Sequence, residues 1–145
     1  MNILSTEKNG YETLSNLLSP SFTYVLFDKP ITFLTVEHAY QCDKAAQAGD
    51  YALANKIYKA KNGWDAKKLS SSIKPVSDWN KMKFDIIENM MDACFNQNPE
   101  HKQLLLSTGD EILTHKHLKL NLGEWSVKFP EILMKLRNKY QEEIK

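Results

Sequence analysis

The sequence predicts a helix-dominated, compact α+β single domain, residues 1–145, with a small β-hairpin near its N-terminus. Three observations point there. Residues 77–97 carry a long apolar stripe at helical spacing. Residues 22–27 are rich in aromatic and β-branched types and are followed by a turn and a second short apolar run. The chain length of 145 residues suits one domain and one hydrophobic core without covalent staples.

Each element follows from local chemistry. Residues 1–21 are polar and mixed and contain the helix breaker Pro20. Phe22-Thr-Tyr-Val-Leu-Phe27 reads as a strand, Asp28-Lys29-Pro30 as its turn and Ile31–Leu34 as the returning strand. A hairpin this small must pack on helices to be stable. Thr35 is a good N-cap for a helix over Val36–Gln47, which stops near Gly49. Asp50 caps a helix over Tyr51–Lys61 that Asn62-Gly63 closes, and a short helix is expected around Asp65–Leu69. Ser70–Pro75 reads as a loop.

The strongest helix comes next. Ser77 or Asp78 caps it, and Trp79, Met82, Ile86, Met90 and Ala93 recur three or four residues apart, with Ile87 and Cys94 widening the stripe. Asn98-Pro99 ends it, and Pro99 opens another helix through Leu106. Residues 109–126 read as extended with loops. The last helix is expected to start near Pro130, with Phe129, Ile132, Leu133, Leu136 and Tyr140 on one face.

Composition excludes several classes. The chain is 42% hydrophobic and 26% charged with five Gly and five Pro, which argues against disorder. A net charge of +1 offers no general footprint for nucleic acid or an anionic membrane, although a local basic pocket for one phosphate is compatible with it. No stretch approaches the roughly 20 apolar residues of a membrane span, and residues 1–8 lack the apolar run of a signal peptide. Cys42 and Cys94 form no CxxC pair and are expected to be reduced, partly buried thiols in a cytoplasmic protein.

The informative segment is Thr35-Val-Glu-His-Ala-Tyr-Gln-Cys-Asp-Lys44. On a helix, Glu37, Gln41 and Lys44 lie at i, i+4 and i+7 on one face, where an acid, an amide and an ammonium can build a polar pocket. Glu37 would sit in the first turn beside free backbone N–H groups. The plainer alternative is that Glu37 complements the helix dipole while Gln41 and Lys44 face water. His38 alone is more often a core or surface histidine than a catalyst. Trp79 reads as core by periodicity, with a pocket-edge stacking role as the alternative. His115-x-His117 has the alternation of a strand face, but two histidines without a third ligand are weak evidence for zinc. No GxGxxG, P-loop or GxSxG is present. No cofactor or metal is expected.

In order along the chain, Leu14-Ser15-Asn16, the hairpin, Thr35-Val-Glu-His-Ala-Tyr-Gln-Cys-Asp-Lys44, the Trp79 helix with Met82 and Lys83, Phe95 to Thr108, and Ile132-Leu-Met-Lys-Leu-Arg137 resemble the YbiA-like (NADAR) family. The resemblance spans about residues 14–137. It implies a compact, helix-dominated α+β fold and cleavage of an N-glycosidic bond. The substrates it implies include ADP-ribose attached to guanine in nucleic acid and ribosylamino intermediates of riboflavin synthesis; the family is also linked to NAD and ADP-ribose metabolism. By the same resemblance Glu37 is the expected catalytic carboxylate. Asn16, His38, Gln41, Lys44 and Trp79 are the expected substrate-binding residues, with Lys44 pairing a phosphate, Gln41 a sugar hydroxyl or base edge, and Trp79 stacking on a base.

Segment 114–127 departs from the family pattern. Thr114 stands where an acid is expected, Lys119 where an Asp is, Leu122 where a Trp precedes Gly123, and Val127 near an Asn. Trp125 or Glu124 is available as a substitute from a shifted register. The expectation is an N-glycosidase acting on an ADP-ribosyl or ribosyl-phosphate substrate. The alternatives are a catalytically degenerate nucleotide-binding or ADP-ribose-binding module, which would bind without turnover, and a protein-interaction domain, which would show a flat apolar patch in place of a cleft.

Overall fold

The computed structural model describes residues 1–117, 119 and 122–145. After a 3-10 turn at Glu12–Leu14 come β1 (Phe22–Leu26) and β2 (Lys29–Phe33), paired antiparallel with Phe22 opposite Phe33 and Val25 opposite Pro30. The turn is therefore the pair Phe27-Asp28, both with positive φ (55° and 60°), and not Asp28-Lys29-Pro30. Two left-handed residues match the twist of a tight hairpin, which is why the strands close one residue earlier than their side chains suggest. Phe22, Leu26 and Phe33 face the core, and Thr23 and Thr32 pair across the outer face with their hydroxyls 2.9 Å apart. The Gln97 side chain stands in for a third strand at β1: its Nε2 donates to the Thr23 carbonyl and its Oε1 accepts from the Thr23 N–H, both at 2.7 Å.

Among the described residues six α-helices follow: α1 (Val36–Gln47), α2 (Tyr51–Tyr58), α3 (Gly63–Leu69), α4 (Trp79–Gln97), α5 (Pro99–Leu106) and α6 (Trp125–Glu143). α1 has the expected bounds. It packs against α2, α3 and α4, and nine of its twelve residues are buried. This central position explains why its polar residues are not a solvent-facing stripe. Asp50 caps α2 through Leu53 N–H at 3.0 Å, as its position suggests. Asn62, expected to close α2, instead caps α3 by accepting from Asp65 N–H at 2.8 Å. Gly63 opens α3 because the Leu17 carbonyl oxygen lies only 2.4 Å from where a Cβ would stand. No larger residue allows α3 to approach loop 15–17 so closely.

The stripe of α4 is buried most deeply at Ile87, Met90, Met91, Cys94 and Phe95, somewhat rotated from the face expected. α6 begins at Trp125 and carries Pro130 inside it, five residues earlier than expected. Proline favours the first helical turn, so the sequence places the start there. The earlier start is held by tertiary contacts: Trp125 packs edge-on against Tyr40 and Phe84, and Lys83 forms an ion pair with Glu124. The expected α6 face, Phe129 through Tyr140, is buried throughout. Among the described residues of 109–124, a single parallel bridge joins Thr114 to Asn2, and the chain otherwise runs without helix or strand. Arg137 anchors its start, donating from Nη1 to Thr108 Oγ1 (2.9 Å) and to the Glu111 carbonyl (2.8 Å). Both cysteines are free and buried, and among the described residues no helix is long and apolar enough to cross a membrane.

Candidate functional site

The N-terminus of α1 is held by loop 15–19. Val36 N–H donates to Ser19 Oγ (2.8 Å), Glu37 N–H to the Asn16 carbonyl (3.1 Å) and His38 N–H to Thr35 Oγ1 (3.2 Å). The backbone donors expected to stand free beside Glu37 are thus all occupied, because the loop folds back over them. Loop and helix together form one side of a cavity of about 160 Å³, where Asn16, Glu37 and Gln41 meet. Lys67 of α3 and His115 close a second side. Tyr40, Trp125 and Phe129 supply the aromatic surface. A cavity of roughly 150 Å³ accepts a benzene-sized ring. This one therefore has room for about one ring.

Gln41 Nε2 donates to Glu37 Oε1 at 2.8 Å, one helical turn away. Burial raises the Glu37 pKa above its ordinary 4.5, against the lowering effects of the Gln41 hydrogen bond and of Lys67 and Lys44. Burial also raises Tyr40 and lowers His115, the latter with help from Lys67. His115 sets its ring edge-on to Phe129, centroids 5.0 Å apart. Gln41 Oε1 and His115 Nδ1 are buried with no hydrogen-bond partner among the described residues. Buried polar atoms are ordinarily paired, so two orphans at one cavity mark a place that asks for hydrogen bonds from a ligand.

The other expected site residues lie elsewhere. Lys44 is half-buried on α1 and does not line the cavity; burial lowers its pKa most, Glu37 raises it and Lys83 lowers it. His38 is fully buried and structural in its contacts. Its Nε2–H donates to the Ala60 carbonyl (3.0 Å), which leaves Nδ1 to accept from the Thr35 hydroxyl (2.7 Å). Trp79 is 2% exposed and packs on Tyr40 at 5.3 Å; it is Tyr40, not Trp79, that reaches the cavity. As the first residue of the core stripe of α4, Trp79 is drawn inward. Trp125, available in sequence only as a substitute from a shifted register, stands on the cavity wall. Lys67 gave no signal in the sequence, and His115 gave one only as a weak metal ligand. Among the described residues no group of three His, Cys, Asp or Glu is placed to hold a metal ion.

Residues 4–119 match the NADAR domain. The chain belongs to the NADAR domain family. The matched stretch contains Asn16, Glu37, Gln41, Lys67 and His115 and ends before the α6 part of the wall, where Trp125 and Phe129 stand. The NMR structure of E. coli YbiA is similar in fold to this NADAR protein, with a TM-score of 0.77 over 99% of this chain and 85% of that one at 21% identity. No curated relative matches the chain.

Proposed function

We propose that this NADAR protein is an N-glycosidase that hydrolyses the bond between a ribose and a base nitrogen, in an ADP-ribosyl substrate such as ADP-ribosylated guanine or in a ribosyl phosphate. The observation that carries the reading is Glu37: a carboxylate with raised proton affinity, gripped by Gln41, in a cavity that fits one ring. When the C–N bond breaks, its electron pair leaves with the base nitrogen and positive charge develops on the sugar. A carboxylate beside the sugar stabilises that charge. Water then adds to the sugar carbon and gives up a proton, which a carboxylate of raised pKa accepts more readily than an ordinary one. The departing nitrogen gains a proton, so the products are a free sugar hydroxyl and a neutral base. In this reading Asn16 and the unpartnered oxygen of Gln41, both at the cavity, hold sugar hydroxyls or a base edge. No cofactor enters this chemistry.

One observation favours a second reading. Among the described residues Glu37 is the carboxylate that lines the cavity, whereas glycoside hydrolysis commonly uses two. A lone carboxylate also suits a module that binds ADP-ribose or a related nucleotide without cleaving it. Incubating the protein with ADP-ribosylated guanine DNA, NAD and ribosylamino-pyrimidine phosphates, read by mass spectrometry, separates the two. Release of base or ADP-ribose by the wild type and not by folded Glu37→Gln supports the glycosidase. Binding of these compounds with no product from any of them supports the binding module.

A further inference from the structure

We infer that Lys67, and not Lys44, is the residue that selects a phosphate-bearing ligand, by placing its ammonium at the mouth of the cavity while the ring of the ligand sits inside. The inference rests on the ribosyl-ligand reading above and deepens it. The cavity of about 160 Å³ has room for one ring, so a phosphate attached to that ring must project outward. Of the residues that line the cavity, Lys67 is the exposed one, which puts it on the solvent side, where the projecting group emerges.

Lys67 is also the cation left available there. It forms no ion pair and no side-chain hydrogen bond among the described residues. Its charge reaches the floor of the site, since it lowers the proton affinity of both Glu37 and His115. Lys44 likewise has no ion pair among the described residues and likewise lowers the proton affinity of Glu37, but it differs in position. It does not line the cavity, it is half-buried and its charge faces Glu37 on one side and the like charge of Lys83 on the other. Lys44 is the less accessible of the two, whereas a phosphate drawn to Lys67 meets an ammonium on a flexible stem already open to solvent. The side chain comes from α3, which Gly63 seats against loop 15–17. Close backbone packing thereby fixes where the Lys67 side chain departs from α3.

The test compares the binding of ribose and ribose 5-phosphate by isothermal titration calorimetry in the wild type, Lys67→Met, Lys67→Arg and Lys44→Met. Circular dichroism first establishes that each variant is folded. A charge-assisted contact at an exposed lysine predicts a wild-type preference for the phosphate of about ten-fold that shrinks with added salt. Lys67→Met should abolish the preference, so that ribose and ribose 5-phosphate bind alike; Lys67→Arg and Lys44→Met should keep it. A preference that survives Lys67→Met, that vanishes in Lys44→Met, or that is absent from the wild type overturns the assignment. None of these outcomes touches the glycosidase reading, which stands or falls on product release by the wild type against Glu37→Gln.

Discussion

Glu37 and Gln41 form a closed pair on one face of α1: the amide donates to the carboxylate at 2.8 Å, and the amide oxygen is left buried and unpartnered at the cavity. The donor end of the amide orients the acid, and the acceptor end is kept for a ligand. Loss of either member should therefore affect the site in different ways. Gln41→Leu should free Glu37 to rotate, and Glu37→Gln should keep the geometry and remove the charge.

The pair makes a prediction about stability. Burial raises the folded-state pKa of Glu37 above 4.5, so the fold disfavours the ionised form. The penalty is absent below the unfolded value, where both states are protonated, and fully present once the pH exceeds the folded value. Glu37→Gln should accordingly melt at a higher temperature than wild type at pH 7, with the difference closing below about pH 4.5. Thermal melts of the two proteins from pH 4 to 8 measure this; a variant less stable at pH 7 would count against a carboxylate whose ionised form the fold disfavours.

His101 predicts acid sensitivity of the opposite origin. It is 8% exposed and stacked on Phe95 with centroids 4.5 Å apart, and burial pushes its pKa down to about 4. Because the unfolded chain takes up this proton first, near pH 6.5, stability is fully present above that value and declines as pH falls toward 4. The decline attributable to this residue is on the order of 3 kcal/mol. Urea titrations of His101→Phe should show a flatter pH profile than wild type across that window, and an unchanged profile would assign the acid sensitivity to other groups.

Gly63→Ala places a methyl 2.4 Å from the Leu17 carbonyl oxygen, a contact that only backbone movement relieves. The expected cost is about 2 kcal/mol, in the range for overpacking at a tight site. Chemical denaturation gives the magnitude. A second readout is ligand affinity, since the same movement shifts loop 15–17 and Lys67 relative to the cavity.

Arg137→Met keeps the aliphatic packing of a buried side chain and removes two hydrogen bonds, to Thr108 Oγ1 and to the Glu111 carbonyl. The acceptors are left inside the fold without their donor, at a cost of about 3 kcal/mol. Hydrogen exchange should show the start of segment 109–117 losing protection before α4 does.

The two pocket-side tryptophan candidates are separable by fluorescence. Trp125 lines the cavity and Trp79 lies beneath Tyr40. Titration with ADP-ribose should change the emission of wild type and Trp79→Phe, and the change should be lost in Trp125→Phe. The reverse pattern would return the stacking role to Trp79.

Much of the fold was legible because it is local. Thr35 and Asp50 announce their helices by an N-cap bond made within three residues, and α1 keeps the bounds that its cap and Gly49 imply. The core face of α6 was legible from spacing alone, yet its start was not, since Trp125 is held by Tyr40 and Phe84 from distant parts of the chain. The hairpin turn moved by one residue because backbone twist outweighed side-chain preference at Phe27-Asp28. Around the cavity the same division holds. Glu37 and Gln41 could be paired on paper from a four-residue spacing, whereas the place of Lys67, His115 and Trp125 beside them depends on how α3, segment 109–117 and α6 pack.

By itself the sequence determined the bounds of α1, the Asp50 cap of α2, the core face of α6 and the acid–amide spacing on α1, since each depends on residues a few positions apart. The tertiary structure decided which side chains share the cavity with that pair. It turned Trp79 and His38 into the core and Lys44 away from the cavity, and brought Lys67, His115 and Trp125 to its edge. The reason is physical: a helix period states which residues share a face, but only the packing of that face against other elements states whether it meets solvent, core or a ligand.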